Sequence, residues 1–201
     1  AGLALPCLIE VDRLSHACSS PTLAPLGHTV FPDERTASCP HCMPMTIFES
    51  IIRGDMPASF VHDDAQCVAF MDIRPITRGH VLVVPRQAKQ TLVGLSTATR
   101  QHLWELAHAI GLAQQQALGS HAQHLLINDG RAASQTVPHV HIHVIPRYGR
   151  DNLYTLGRLG WHITTLALPY RERASRRRKL DALAASIAGA LNAPKPVPEI
   201  A

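Results

Sequence analysis

Hydrophobic positions recur along this chain with two different periods, and the switches between them mark out its elements. Leu103, Leu106, Ala107, Ile110, Ala113 and Ala117 fall at helical intervals, which predicts a helix over 97–118 with one apolar face. Ser96 or Thr97 can cap its start and Gly119 its end. Leu180, Leu183, Ala184, Ile187 and Leu191 repeat the pattern near the C-terminus, ahead of a Pro-rich tail. A short helix near 47–53 ends at Gly54, and Pro57 prevents its continuation. The segments 59–62, 66–71 and 80–84 are rich in Val, Phe or Leu and read as strands, as do 123–128 and 137–145. The fold class expected is α+β, one antiparallel sheet with a long helix packed on it. Residues 1–44, rich in Pro, Ser, Thr and Cys, sustain neither period and read as an irregular N-terminal extension. A central domain over 45–150 and a basic C-terminal extension over 151–201, carrying the last helix, complete the expected organisation.

Within the last expected strand, His139, His141 and His143 alternate with Val140, Ile142 and Val144. Strand side chains alternate faces, so the three imidazoles share one face and the β-branched residues seal the other to a core. Neighbouring histidines would then lie roughly 6.5–7 Å apart, a spacing suited to a row of groups along a polyphosphate more than to a tight chelate. Alternation of polar and apolar residues gives no reason for imidazole three times. A zinc or copper site is the rival reading, because imidazole is both an acid/base group and a metal ligand.

Composition narrows the class. The chain's 201 residues are 46% hydrophobic, enough to bury a core in one domain with extensions or in two small ones. No uninterrupted apolar run reaches membrane-spanning length. Ala1 to Pro6 is apolar without a basic stretch ahead of it, so a secretory leader is not expected and a soluble, cytoplasmic protein is. The odd set Cys7, Cys18, Cys39, Cys42 and Cys67 argues against a disulfide framework. Net charge is +4, and from Arg147 onward ten Lys/Arg stand against four Asp/Glu. The centre of that excess is Arg171, Arg173, Arg176, Arg177, Arg178 and Lys179. It suits a polyanionic ligand, and equally a solvated helix face.

Four blocks in order carry a resemblance. They are Thr46 to Ala58 (TIFESIIRGDMPA), Ala69-Phe70-Met71-Asp72-Ile73-Arg74-Pro75, Gly79-His80-Val81-Leu82-Val83-Val84-Pro85, and Ser134-Gln135-Thr136-Val137-Pro138 leading into the histidines and Pro146-Arg147. Together they resemble the histidine triad (HIT) family of nucleotide hydrolases and transferases over about residues 46–150. The resemblance implies a HIT-like fold and a reaction at the α-phosphorus of a nucleotide. His141 resembles the family's nucleophile, whose attack gives a nucleotidyl-histidine and splits one difficult step into two. A backbone carbonyl holding the proton on its other ring nitrogen would fix the required tautomer. His143 would donate to a phosphoryl oxygen, and His139 would support the geometry beside His80, the family's fourth histidine. Gln135 and Thr136 correspond to residues that contact the bridging oxygen and leaving group, which a neutral amide and hydroxyl can do without adding negative charge. Asn128 resembles a phosphate-contacting asparagine, although Ile127-Asn128-Asp129-Gly130 also reads as a turn. Asp72 resembles the ribose-binding acid, whose carboxylate can accept from both the 2′ and 3′ hydroxyls. Ile47, Phe48, Ile51, Phe70 and Ile73 match the apolar slot for the base, and in any fold most of them would be core.

Two departures accompany the resemblance. The family often has Gly where Ser134 stands, and a side chain there restricts the backbone close to the phosphates. Many members also carry a CxxC pair that joins two histidines on structural zinc, at the positions of Thr46 and Glu49 here. The chain's own Cys39-Pro40-His41-Cys42 lies seven residues too early and is half a ligand set. No metal ligand and no required cofactor are therefore expected; the alternative is a structural zinc that His80 and His139 would complete if the extension folded back. Met45 stands where many members begin, which leaves open that 1–44 lies outside the native product. The expected activity is hydrolysis of an adenosine phosphoramidate or dinucleoside polyphosphate. Phosphorolysis or nucleotidyl transfer is the enzymatic alternative, and a nucleotide- or zinc-binding regulator the non-catalytic one. The partners expected are a small-molecule nucleotide and a second copy in a homodimer, without membrane or specific nucleic acid.

Overall fold

The computed structural model describes residues 45–149, 157–158 and 174–193. The extension over 1–44, including Cys39 and Cys42, lies outside the described residues, as do Arg171 and Arg173. Helix α1 (Ile47–Arg53) starts on a reciprocal cap: the Thr46 hydroxyl accepts the Glu49 N–H at 3.2 Å, and the Glu49 carboxylate accepts the Thr46 N–H at 2.8 Å. That backbone bond holds the Glu49 carboxyl below its ordinary value. Gly54 ends the helix in a left-handed conformation, φ 83°. Strands β1 (Phe60–Asp63), β2 (Cys67–Met71) and β3 (Val81–Pro85) follow as an antiparallel meander. Helix α2 (Thr97–Leu118) is capped by Ser96 and closed by Gly119, and leads to the edge strand β4 (Ala122–Ile127). Strand β5 (Ile142–Arg147) inserts between β3 and β4, giving the sheet order β1-β2-β3-β5-β4, antiparallel throughout. Helix α3 (Ala174–Asn192) closes the described chain.

Period-two alternation sorts the strands between two cores. Cys67, Ala69, Met71, Val81 and Val83 point to one face, where they pack with Leu103, Ala107 and Ile110 of α2 and Leu180, Ala184 and Ile187 of α3. Val68, Phe70, Leu82 and Val84 point to the other, where they pack with Phe48 and Ile51 of α1. Both faces being covered, β2 and β3 are buried along their whole length. Helix α3 is thus part of the main core; each fully buried Leu or Ile on it contributes about 1.5–3 kcal/mol. Ser59 anchors it, donating to Asp181 at 2.6 Å, while Arg177 donates to the Pro57 carbonyl at 3.1 Å. Burial pushes the Cys67 thiol up to about 12, which makes it an inert core residue. Among the described residues no helix is long and apolar enough to cross a membrane.

One expected element is corrected. The strand read at 137–145 begins only at Ile142, so His139 and His141 precede it. Pro138 has no N–H to give a ladder. The His139 N–H turns back to the Val137 carbonyl at 2.8 Å, and the Val140 N–H goes to the Lys89 carbonyl at 2.7 Å. Strand pairing is first available at Ile142, opposite Val83.

Candidate active site

The site lies on the α1 face of the sheet, where β3 and β5 run side by side. His80 immediately precedes β3 and follows Gly79, whose φ is 88°. That positive φ favours glycine, and a Cβ there would sit 2.4 Å from Leu118 Cδ1 of α2, which would have to move. His143 stands in β5 opposite Leu82. The His80 Nε2 and His143 Nδ1 atoms are 3.0 Å apart. The Ile76 N–H reaches His80 Nδ1 at 3.3 Å, and an amide N–H can only donate. With Nδ1 accepting that N–H, His80 Nε2 donates to His143 Nδ1; with Nδ1–H turned to the Asp72 carboxylate, the direction between the rings reverses. Asp72 backs this pair, with Oδ2 3.3 Å from His80 Nδ1 and Oδ1 accepting the Arg74 N–H at 2.8 Å.

His141 is held differently. Its Nδ1 lies 2.8 Å from the His139 carbonyl, which can only accept, so the proton sits on Nδ1 and the lone pair on Nε2. Its ring is near edge-on to His143 at 4.8 Å and to Phe48 at 5.0 Å. Burial, with His139 beside it, holds its pKa below the ordinary 6.5, against the opposing pull of the backbone bond and Asp72. A buried, neutral imidazole with its lone pair on a defined nitrogen can act as a nucleophile, a base or a ligand.

His139 departs from its expected place. It is paired with α1 instead of His80: Nε2–H donates to the Pro85 carbonyl at 2.8 Å, and Nδ1 accepts from the Thr46 hydroxyl at 3.2 Å. The bend at 137–139 turns its ring to Phe48, 5.9 Å away, and leaves His143 as the neighbour of His80. Burial lowers the His139 pKa as well.

The loop before the histidines is also more committed than its residues suggest. Gln135 is buried, with Oε1 accepting the Gly130 N–H and Nε2 donating to the Gln90 carbonyl, each at 2.8 Å. Its amide thus pins the 130–135 loop, where the resemblance implied a contact to the leaving group. Thr136 beside it is exposed. Asn128 is half-buried, its Nδ2 3.5 Å from the Ser134 carbonyl. Ser134 has φ 64°, the one positive value at a non-glycine among the described residues. Of the five expected slot residues, Phe48, Ile51 and Phe70 come together in the site-face core. Ile47 is 42% exposed, and Ile73 packs against the helix-face core.

Among the described residues, a zinc site of the kind the resemblance raises does not fit. Thr46 and Glu49 bring a hydroxyl and a carboxylate engaged in capping α1, and both nitrogens of His139 already have partners. Among the described residues, only Asp72, His80 and His143 bring potential ligand atoms within 4.8 Å of one another. The facing nitrogens of that trio are hydrogen-bonded to each other.

One buried polar residue behind the site escaped the sequence reading. Gln114 of α2, fully buried, donates its Nε2 to the carbonyls of Gly79 at 2.9 Å and Val144 at 3.3 Å. A signal existed: it sits one turn after Ile110 on the apolar stripe, where a polar residue must find partners.

Comparison with known proteins places the chain in a family. Residues 53–150 match the family model described as HIT domain. An uncharacterized HIT-like protein of Mycobacterium tuberculosis is 39% identical over 107 residues, 53% of this chain and 74% of that protein. An Arabidopsis thaliana adenylylsulfatase is 34% identical over 58% of this chain and 59% of its own length. A Schizosaccharomyces pombe adenosine 5′-monophosphoramidase is 35% identical over 57% of this chain and 81% of its own length. The crystal structure of a zinc-bound histidine triad family protein from Mycobacterium smegmatis superposes with a TM-score of 0.56, at 31% identity, over 71% of this chain and 93% of that one.

Proposed function

This chain belongs to the histidine triad family, and we propose that it hydrolyses a nucleoside phosphoramidate or phosphoanhydride at the α-phosphorus through a covalent intermediate on His141. Nucleotide hydrolysis is represented among its relatives, an adenylylsulfatase and an adenosine 5′-monophosphoramidase. The observation that carries the finer reading is the His141 tautomer, with Nδ1–H on the His139 carbonyl and the lone pair on Nε2.

In the first step the His141 Nε2 lone pair forms a bond to phosphorus and the bond to the leaving group breaks. The leaving group takes a proton from the His80–His143 pair, which enters the step with one extra proton favoured by the Asp72 carboxylate. In the second step water attacks phosphorus, returns a proton to that pair and releases the nucleotide from His141. The scheme needs no metal ion. Phe48, Ile51 and Phe70 offer the base an apolar wall, and Asp72 offers the ribose a carboxylate. Adenosine is the nucleoside that the two named relatives favour.

The test is rapid mixing with labelled adenosine 5′-phosphoramidate, diadenosine tri- and tetraphosphate and adenylyl sulfate, quenched in alkali because a phosphoramidate bond is acid-labile. Label retained on the protein and mapped to His141 is the expected result. Turnover of none of these substrates, or turnover without label on His141, overturns the proposal.

A further inference from the structure

We propose that Gln114 is a positioning residue for the His80–His143 pair, holding the backbone beside both histidines from the far face of the sheet. The inference rests on the reading of that pair as the proton source of the reaction. Gln114 Nε2 meets the carbonyl of Gly79, the residue before His80, and the carbonyl of Val144, the residue after His143. Both neighbours can only accept, which fixes the amide with its NH₂ toward them. Its Oε1 is buried without a hydrogen-bond partner among the described residues, so the amide is oriented for the bonds its NH₂ makes. A Cβ on Gly79 would meet Leu118, one turn further along α2, so the helix grips the same residue by packing and by hydrogen bond.

The consequence is mechanical. β3 and β5 are already paired through Val81 and Val144, but Gly79 precedes the ladder and His80 stands at its end. Beyond the ladder the Thr77 hydroxyl donates to the Pro146 carbonyl at 2.7 Å and the Tyr148 hydroxyl to the Arg78 carbonyl at 2.8 Å, while the His80 N–H goes to the Thr77 carbonyl at 3.2 Å. The Gln114 bridge adds the tie that reaches the residues adjoining both histidines, and so holds their backbones for the 3.0 Å contact between the rings. Because Gln114 lies on the opposite face from the slot formed by Phe48, Ile51 and Phe70, its loss should act on proton transfer and spare nucleotide binding.

The experiment compares Gln114→Met, similar in volume and without donors, with Leu106→Ala, a helix-face variant that loses packing without touching either carbonyl. Gln114→Met should lower kcat about 10- to 100-fold with KM little changed, as misplacement of a reacting group does, and should shift the kcat–pH profile. The ¹⁵N ring signals of His80 and His143 should move in the folded, ligand-free variant. Leu106→Ala should change melting temperature while leaving kcat, its pH profile and the ring signals near wild type. Wild-type ring signals and kcat in Gln114→Met, or the same changes in Leu106→Ala, overturn the inference. If Gln114→Met does not fold, Gln114→Glu, which keeps the shape and one donor when protonated, takes its place and should lose part of the wild-type kcat; wild-type kcat and ring signals in it overturn the inference. A wild type without turnover would count against the hydrolase reading, and the ring signals alone would then decide the role of Gln114.

Discussion

The two faces of the sheet are buried by opposite means. The helix face is an apolar layer in which Leu103, Ile110, Ile142 and Ile187 are fully buried, and its fully buried Gln114 spans strand carbonyls. The site face buries four histidines, a glutamine and an aspartate together with Phe48, Ile51 and Phe70. Apolar burial there is interrupted by groups that each need a partner: backbone for many, as in the Pro85 and His139 carbonyls and the Ile76, Arg74 and Gly130 amides, and side chain for others, as in His80 with His143 and His139 with Thr46. The contrast shows one face supplying stability so that the other can hold polar groups in fixed protonation states. Mutations on the two faces should consequently separate chemistry from folding.

The largest effect expected is on chemistry. His141→Asn should cut turnover by at least about 10³-fold while nucleotide affinity stays near wild type, since the nucleophile acts chiefly in the transition state. A loss of only severalfold, measured by steady-state kinetics beside equilibrium binding, would break the contrast on the site side. On the helix face, Ile187→Ala should cost about 2–5 kcal/mol of unfolding free energy with kcat per folded molecule unchanged. Urea titration would show this, and a change below 1 kcal/mol would remove α3 from the main core.

Asp72→Asn sharpens the comparison within the site. Nucleotide binding should weaken by roughly 1–3 kcal/mol, the range for hydrogen bonds to charged groups. If Asp72 reads the ribose, the loss is smaller for a 2′-deoxynucleotide than for its ribo form. Equal losses would assign Asp72 to His80 alone.

The pH dependence of stability distinguishes the faces again. Burial lowers the pKa of His141 and His139 from the ordinary 6.5, so below that value the unfolded chain binds protons that the folded chain refuses. Their contribution is complete above pH 6.5 and is lost as pH falls through the lowered values. Thermal unfolding between pH 8 and 5 should follow this slope and flatten in His141→Asn. The smallest effect belongs to Ser134, held at φ 64°. Ser134→Gly should raise stability by under ~1 kcal/mol by relieving the left-handed strain, partly offset by chain entropy. Its ratio of rates on phosphoramidate and polyphosphate substrates would report whether that side chain tunes the leaving group.

Local signals made much of this legible in the chain. Both α1 and α2 were readable to their ends, because a capping side chain and a left-handed glycine act within a few residues. The β-branched alternation identified the strands, and the ordered blocks from Thr46 to Arg147 identified the family. What the sequence did not reach is where partners are distant in the chain. The start of β5 depends on Lys89, 51 positions before Val140 by number, taking a backbone bond that strand pairing would otherwise use. The partner of His80 is His143 and not His139, because a bend sends His139 to Thr46, 93 residues away. Gln135 looks like a free amide until Gln90 and Gly130 occupy it.

The sequence by itself determined the residue types, the alternation that gives the sheet two faces, the caps that bound its first two helices and the chemistry available to three imidazoles. Only the tertiary structure decided which nitrogen of His139 and His141 carries the proton, that α3 joins the main core, and that Gln114 ties β3 to β5 behind the site. Periodicity and capping are properties of neighbouring residues, whereas a tautomer is set by whichever donor or acceptor the fold brings to the ring.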